Sequence, residues 1–125
     1  MSEATLKYVS ELMKSLDIPY EFLRWNGDIP DDCYFVGEYI ESPSLTKEEN
    51  GFQETAFILR GFTRKSWLLL EQAKTKIEAN MAKTAILDDG SGIAIFYDYS
   101  TPVPTGDEEL KSIKINLNIQ EWKVK

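Results

Sequence analysis

Ser112-Ile113-Lys114-Ile115-Asn116-Leu117-Asn118-Ile119-Gln120 alternates without a break. Successive side chains of a strand point to opposite faces, so Ile113, Ile115, Leu117 and Ile119 fall on one side and Lys114, Asn116, Asn118 and Gln120 on the other. A strand of this kind has one buried and one wet face, as expected of a mostly antiparallel sheet covered on one side. The polar side faces solvent, or lines a channel or a polar subunit contact.

Upstream of this strand, Ser100-Thr101-Pro102-Val103-Pro104-Thr105-Gly106-Asp107 is predicted not to pair regularly throughout, because each proline removes a backbone donor. Thr84 to Leu87 and Ile93 to Tyr97 flank Asp88-Asp89-Gly90-Ser91-Gly92, a turn whose glycines tolerate positive φ, and so form a hairpin. Before it, Trp67, Leu70, Ala73, Ile77 and Met81 recur at helical spacing after Thr63, with Glu71, Lys74 and Glu78 facing water. Tyr34 to Ile40 and Thr55 to Arg60 are aromatic and β-branched and should pair as an antiparallel hairpin. Their connection, Glu41 to Phe52, is longer and more charged than a minimal turn requires. Tyr20 to Trp25 looks extended, ending at Asn26-Gly27-Asp28. A first helix, capped by Ser2 or Thr5, carries Leu6, Val9, Met13 and Leu16 on one stripe with Leu12 beside it, and ends at Asp17 and Pro19. The expectation is a single α+β domain over 1–125. It has a mostly antiparallel mixed sheet with two amphipathic helices packed on one face, in the order α-β-β-β-α-β-β-β.

A chain of 125 residues with 42% hydrophobic residues and 15 aromatics has the composition of one globular domain. Its net charge of −7 repels phosphate backbones and anionic membranes, which argues against a nucleic-acid partner and also simply favours solubility. No apolar run approaches the roughly 20 residues of a membrane helix, and the amino-terminal stretch lacks the plan of a secretory signal. The expected place of synthesis is the cytoplasm.

The residues offer little chemistry. There is no histidine, which removes Ser-His-acid and Cys-His catalysis, and the lone Cys33 cannot build a zinc site or an internal disulfide. Asp31 and Asp32 beside Cys33 should raise its pKa, against a role as nucleophile. The acidic clusters Asp28, Asp31, Asp32 and Asp88, Asp89 lack the spacing of a calcium loop and are better read as turn formers, and Gly90-Ser91-Gly92 lacks the lysine and helix of a phosphate loop. No catalytic residue, metal or cofactor is expected. Arg60-Gly61-Phe62-Thr63-Arg64-Lys65-Ser66-Trp67 mixes bases with aromatics. In an acidic chain, Trp67 is better assigned to the core, with Arg64 and Lys65 exposed for a partner ion pair.

Several phrases and the element order carry a resemblance. Tyr34-Phe35-Val36-Gly37-Glu38-Tyr39, Gly51-Phe52-Gln53-Glu54, Leu59-Arg60-Gly61-Phe62-Thr63-Arg64 and Glu121-Trp122-Lys123-Val124 resemble small prophage proteins encoded among head and tail genes. These are similar to tail-completion, tail-terminator and head–tail joining proteins, which have a mixed sheet with two helices. The resemblance implies a protein made in the bacterial cytoplasm and built into the virion at the head–tail junction. Its partners would be further copies of itself in a hexameric ring, the tail tube and head-connector proteins. The interface candidates come from local chemistry in the exposed connections: Glu41, Lys47, Glu48, Glu49, Asn50, Arg64, Pro102, Pro104 and Asp107. One alternative is a cytoplasmic adaptor or regulatory domain using the same loops. The other is a small-ligand-binding or enzyme domain with Tyr39, Tyr97, Tyr99 and Trp122 around a pocket.

Overall fold

The computed structural model describes residues 1–41 and 52–123. The elements run α1 (Glu3–Ser15), β1 (Tyr20–Phe22), β2 (Tyr34–Glu41), β3 (Phe52–Thr63), α2 (Leu68–Met81), β4 (Thr84–Ile86), β5 (Ser91–Val103) and β6 (Lys111–Lys123). This is the expected α+β order. The six strands form one sheet in the order β1-β2-β3-β6-β5-β4, and every neighbouring pair is antiparallel except β1 with β2. Both expected hairpins are present, β2 with β3 and β4 with β5.

The alternation in β6 sets the core. Ile113, Ile115, Leu117 and Ile119 are all buried, together with Phe35 of β2, Phe57 and Leu59 of β3, and Ile93 and Ile95 of β5. On this side α1 contributes Val9 and Met13, and α2 contributes Leu70, Ala73, Ile77 and Met81, so both helices cover one face. The two stripes repeat at three- and four-residue intervals because those positions stack on one side of a helix. On α2, Glu71 and Lys74 are half-buried rather than fully wet. They pair with each other at 2.9 Å, and the Trp67 Nε1–H donates to Glu71 at 3.2 Å.

Ser2 is the N-cap of α1, its Oγ accepting the Thr5 N–H at 3.1 Å. Thr5 instead lies fully buried one turn in and donates its hydroxyl to Glu121 Oε2 of β6 at 2.6 Å. The same oxygen accepts the Ser2 N–H at 3.1 Å, placing a carboxylate at the positive end of the helix. At the other end the Asp17 N–H donates to the Lys14 carbonyl and the Ile18 N–H to the Met13 carbonyl, with Asp17 at φ 59°. This is a Schellman termination with an aspartate where glycine is usual, and Ile18 is buried in the same core as Met13.

Several boundaries differ from the sequence reading. β1 stops at Phe22 because Leu23 takes φ 70°, a conformation that apolar residues rarely adopt. Thr63 closes β3, and α2 begins only at Leu68, where the Ser66 Oγ accepts the Leu68 N–H at 3.2 Å. Only Gly90 of the turn glycines has positive φ, 87°. Gly92 lies in β5 beneath the Trp122 ring, where a Cβ would stand 2.3 Å from Trp122 Cε2. β5 also runs on through the first proline to Val103, with Pro102 in register with Ile113 and a bulge between Tyr97 and Tyr99. Proline is tolerated here because β4 pairs only with Gly92 to Ala94, leaving the rest of β5 at the edge of the sheet.

Candidate functional site

The registers place the outward side chains in rows across the sheet. One row runs Ile40, Ala56, Asn118, Phe96. The next runs Glu38, Ile58, Asn116, Tyr99, then Val36, Arg60, Lys114, Thr101, and last Tyr34, Phe62, Ser112, Val103. Neither helix packs on this face, since both stripes belong to the opposite core. It is the wet side anticipated from β6, but its centre is not wet: Ile58 is 4% exposed and Asn116 7% exposed. Long neighbours account for this, among them Arg60 and Glu38, which meet at 2.6 Å across β3 and β2. The Asn116 Nδ2 is buried without a hydrogen-bond partner. Along the last row Tyr34 stacks on Phe62 at 5.3 Å between ring centroids, and Trp25 leans on Tyr34 at 5.2 Å.

The candidate interface residues divide between the two ends of this sheet. Glu41 ends β2 at the end where β3 begins and β6 finishes, and its carboxylate is ion-paired with the α-ammonium of Met1. Lys47, Glu48, Glu49 and Asn50 lie outside the described residues. Arg64, Pro102, Pro104 and Asp107 gather at the other end. Arg64 Nη1 donates to Asp107 Oδ2 at 3.1 Å, so two candidates chosen separately are partners. Pro102, Pro104 and Asp107, with Trp67 and Leu110, line a shallow groove of about 380 Å³. Its connection is tied down: the Thr105 hydroxyl bonds to the Leu110 carbonyl at 2.8 Å, and Asp107 Oδ1 accepts the Glu109 N–H at 3.0 Å. The Glu109 N–H and then Arg64 hold the Asp107 carboxyl below the usual carboxylate range. Lys65 likewise spends its charge within the chain, on Asp32 at 3.1 Å.

The two ends are far apart. β3 has 12 residues and β6 has 13, which at about 3.3 Å per residue separate them by roughly 40 Å. Strand order decides this placement, and no local sequence signal carries it.

The aromatic pocket does not form. Tyr39 and Tyr97 pack against the helix-covered core, whereas Tyr99 and Trp122 are on the opposite face. Burial first, and then Asp32, push the Cys33 thiol above its ordinary pKa, as its acidic neighbours suggested. Burial also pushes the Tyr20 hydroxyl well up, keeping it protonated. Among the described residues no group of three His, Cys, Asp or Glu is placed to hold a metal ion. None of the described helices is long and apolar enough to cross a membrane. In comparisons with known proteins, no family matches the chain and no curated sequence matches it.

Proposed function

We propose that this chain is a non-enzymatic assembly protein of a long-tailed bacteriophage or prophage. In this reading it completes the tail or joins tail to head as one subunit of a ring. The observation that carries the proposal is the separation of its candidate contacts onto two ends about 40 Å apart, bridged by continuous strands of 12 and 13 residues. A connector needs two contact surfaces held at a fixed distance, and a hydrogen-bonded sheet supplies the stiffness. The ends also differ in chemistry. One presents Glu41, paired with the Met1 ammonium; the other presents an apolar groove beside the Arg64–Asp107 pair. The α+β architecture and its element order agree with the resemblance described above.

The test is to induce the source strain, separate the lysate on a density gradient and probe each fraction for the protein. Co-sedimentation with tails or virions at a few copies per particle is the expected result. Recovery solely among soluble host proteins would reject the proposal in favour of an adaptor that binds one host protein.

A further inference from the structure

The half of the uncovered face built by β4, β5 and β6 is chemically unlike the rest of the chain. Among its outward register positions Lys114 is the one charge, in a sequence where 28% of residues are charged. Asp98 stands in the bulge of β5, and Glu54 on neighbouring β3 accepts the Gln120 amide at 3.3 Å. What remains is a strip of aromatic rings beside a ladder of amides.

Trp122 opens the strip. Its Cε2, Nε1 and Cζ2 stand 2.3, 2.5 and 2.6 Å from where a Cβ would lie on Gly92. Near-equal distances with the fused carbon Cε2 closest put that point over the ring plane. The indole therefore lies flat on the strand and turns its other face outward, half-buried. Phe96 follows four residues after Gly92 along β5, about 13 Å away, and Tyr99 stands one row further. Both are about half exposed, at 49% and 50%. β4 stops pairing at Ala94, so these two rings stand on an edge strand and are open from the side as well as from above. Beside them on β6 run Asn118, level with Phe96, and Asn116, level with Tyr99. Asn116 is 7% exposed and its Nδ2 lacks a partner.

We infer that this strip binds a neutral oligosaccharide of β-linked, gluco-configured sugars. Such sugars carry their hydroxyls around the rim of the ring and leave two C–H faces that stack on aromatic side chains. Amides supply both the donor and the acceptor that a hydroxyl needs. The orphaned Asn116 donor, which costs the free protein stability, is the partner for a hydroxyl seated between Tyr99 and Asn118. Single-stranded nucleic acid also stacks on exposed rings, but its phosphates require a basic groove. With Arg60 already paired to Glu38 and a net charge of −7, Lys114 does not provide one. The inference rests on the uncovered face and on neither end of the sheet, so its outcome and that of the assembly reading are independent.

Titration of the isotope-labelled full chain with cellopentaose and with chitopentaose tests this, with the Asn116 and Asn118 side-chain amides and the Trp122 indole followed by NMR. At least one of the two sugars, at millimolar concentration, should move all three resonances together. Phe96→Ala and Tyr99→Ala should each weaken that binding about tenfold, the loss of one stacked ring. Asn116→Leu should weaken it too while stabilising the fold, a combination that structural damage does not give. Circular dichroism checks that each variant is folded, and should Tyr99→Ala not fold, Phe96→Ala decides. No movement with either sugar overturns the inference, as does binding that the folded variants leave intact. It is equally overturned if the same resonances answer to oligouridylate and not to sugar.

Discussion

Asn116 sits between Ile58 and Tyr99 with its Nδ2 buried and unbonded, and an orphaned donor of this kind costs about 1–3 kcal/mol. Asn116→Leu keeps the volume and removes the donor, so it should raise stability by about 1 kcal/mol in urea unfolding, with the midpoint moving and the slope unchanged. Asp17 carries a different strain, at φ 59° just past the end of α1. Asp17→Gly should gain about 0.5 kcal/mol, since relief of the left-handed conformation slightly exceeds the extra freedom glycine has when unfolded. An unchanged or lower midpoint would show that the aspartate side chain compensates for its backbone. Asp107 gives a pH dependence with a defined sign. Its folded pKa lies below its unfolded value, so its contribution is present above the ordinary carboxylate range and is lost as pH falls through the folded value. The Glu109 amide resonance should titrate with it below that range, and Asp107→Asn should abolish the movement.

At the level of elements, β6 was legible because its two faces differ so sharply in composition. Leu117→Ala should cost about 2–5 kcal/mol, while Gln120→Ala on the other face should stay within about 0.5 kcal/mol. Equal costs would mean that the wet face is packed as tightly as the core. Both helices were legible for the same reason, a stripe of apolar residues meeting one side of a sheet. The parts that sequence reading missed depend on distant partners. Pro102 looks like a strand breaker until β4 is known to be three residues long, which turns its position into an edge. Leu23 gives no sign of its positive φ, because an exposed leucine looks the same in either conformation. Thr5 looks like a cap and is a buried donor, because its acceptor, Glu121, lies 116 residues away. The pairing of Arg64 with Asp107, 43 residues apart, was hidden in the same way.

The molecule as a whole presents two ends, and damage to each should interrupt a different step. Charge reversal at Glu48 and Glu49 together should lower the yield of joined virions with the monomer still folded. Reversal at Arg64 and Asp107 together preserves their attraction while inverting the surface a partner meets. If the ends serve different partners, electron microscopy and immunodetection should find tails lacking the protein for one double variant. The other should give headless tails that still carry it. Identical particles from both would place all contacts on one surface. The position of β6 has a further consequence, for assembly of the domain itself. The last of the described strands is inserted at the middle of the sheet, between β3 and β5, so before it arrives the other strands exist as two separate sets with nothing between them. Its pairing with β3 joins residues such as Phe52 and Trp122, and contacts that distant in sequence slow folding towards milliseconds to seconds. During that interval β3 and β5 each expose a long unpaired flank, and the β6 of a neighbouring chain fits either flank as well as the chain's own. Refolding at high concentration should therefore yield strand-exchanged dimers, which dilution before refolding would prevent.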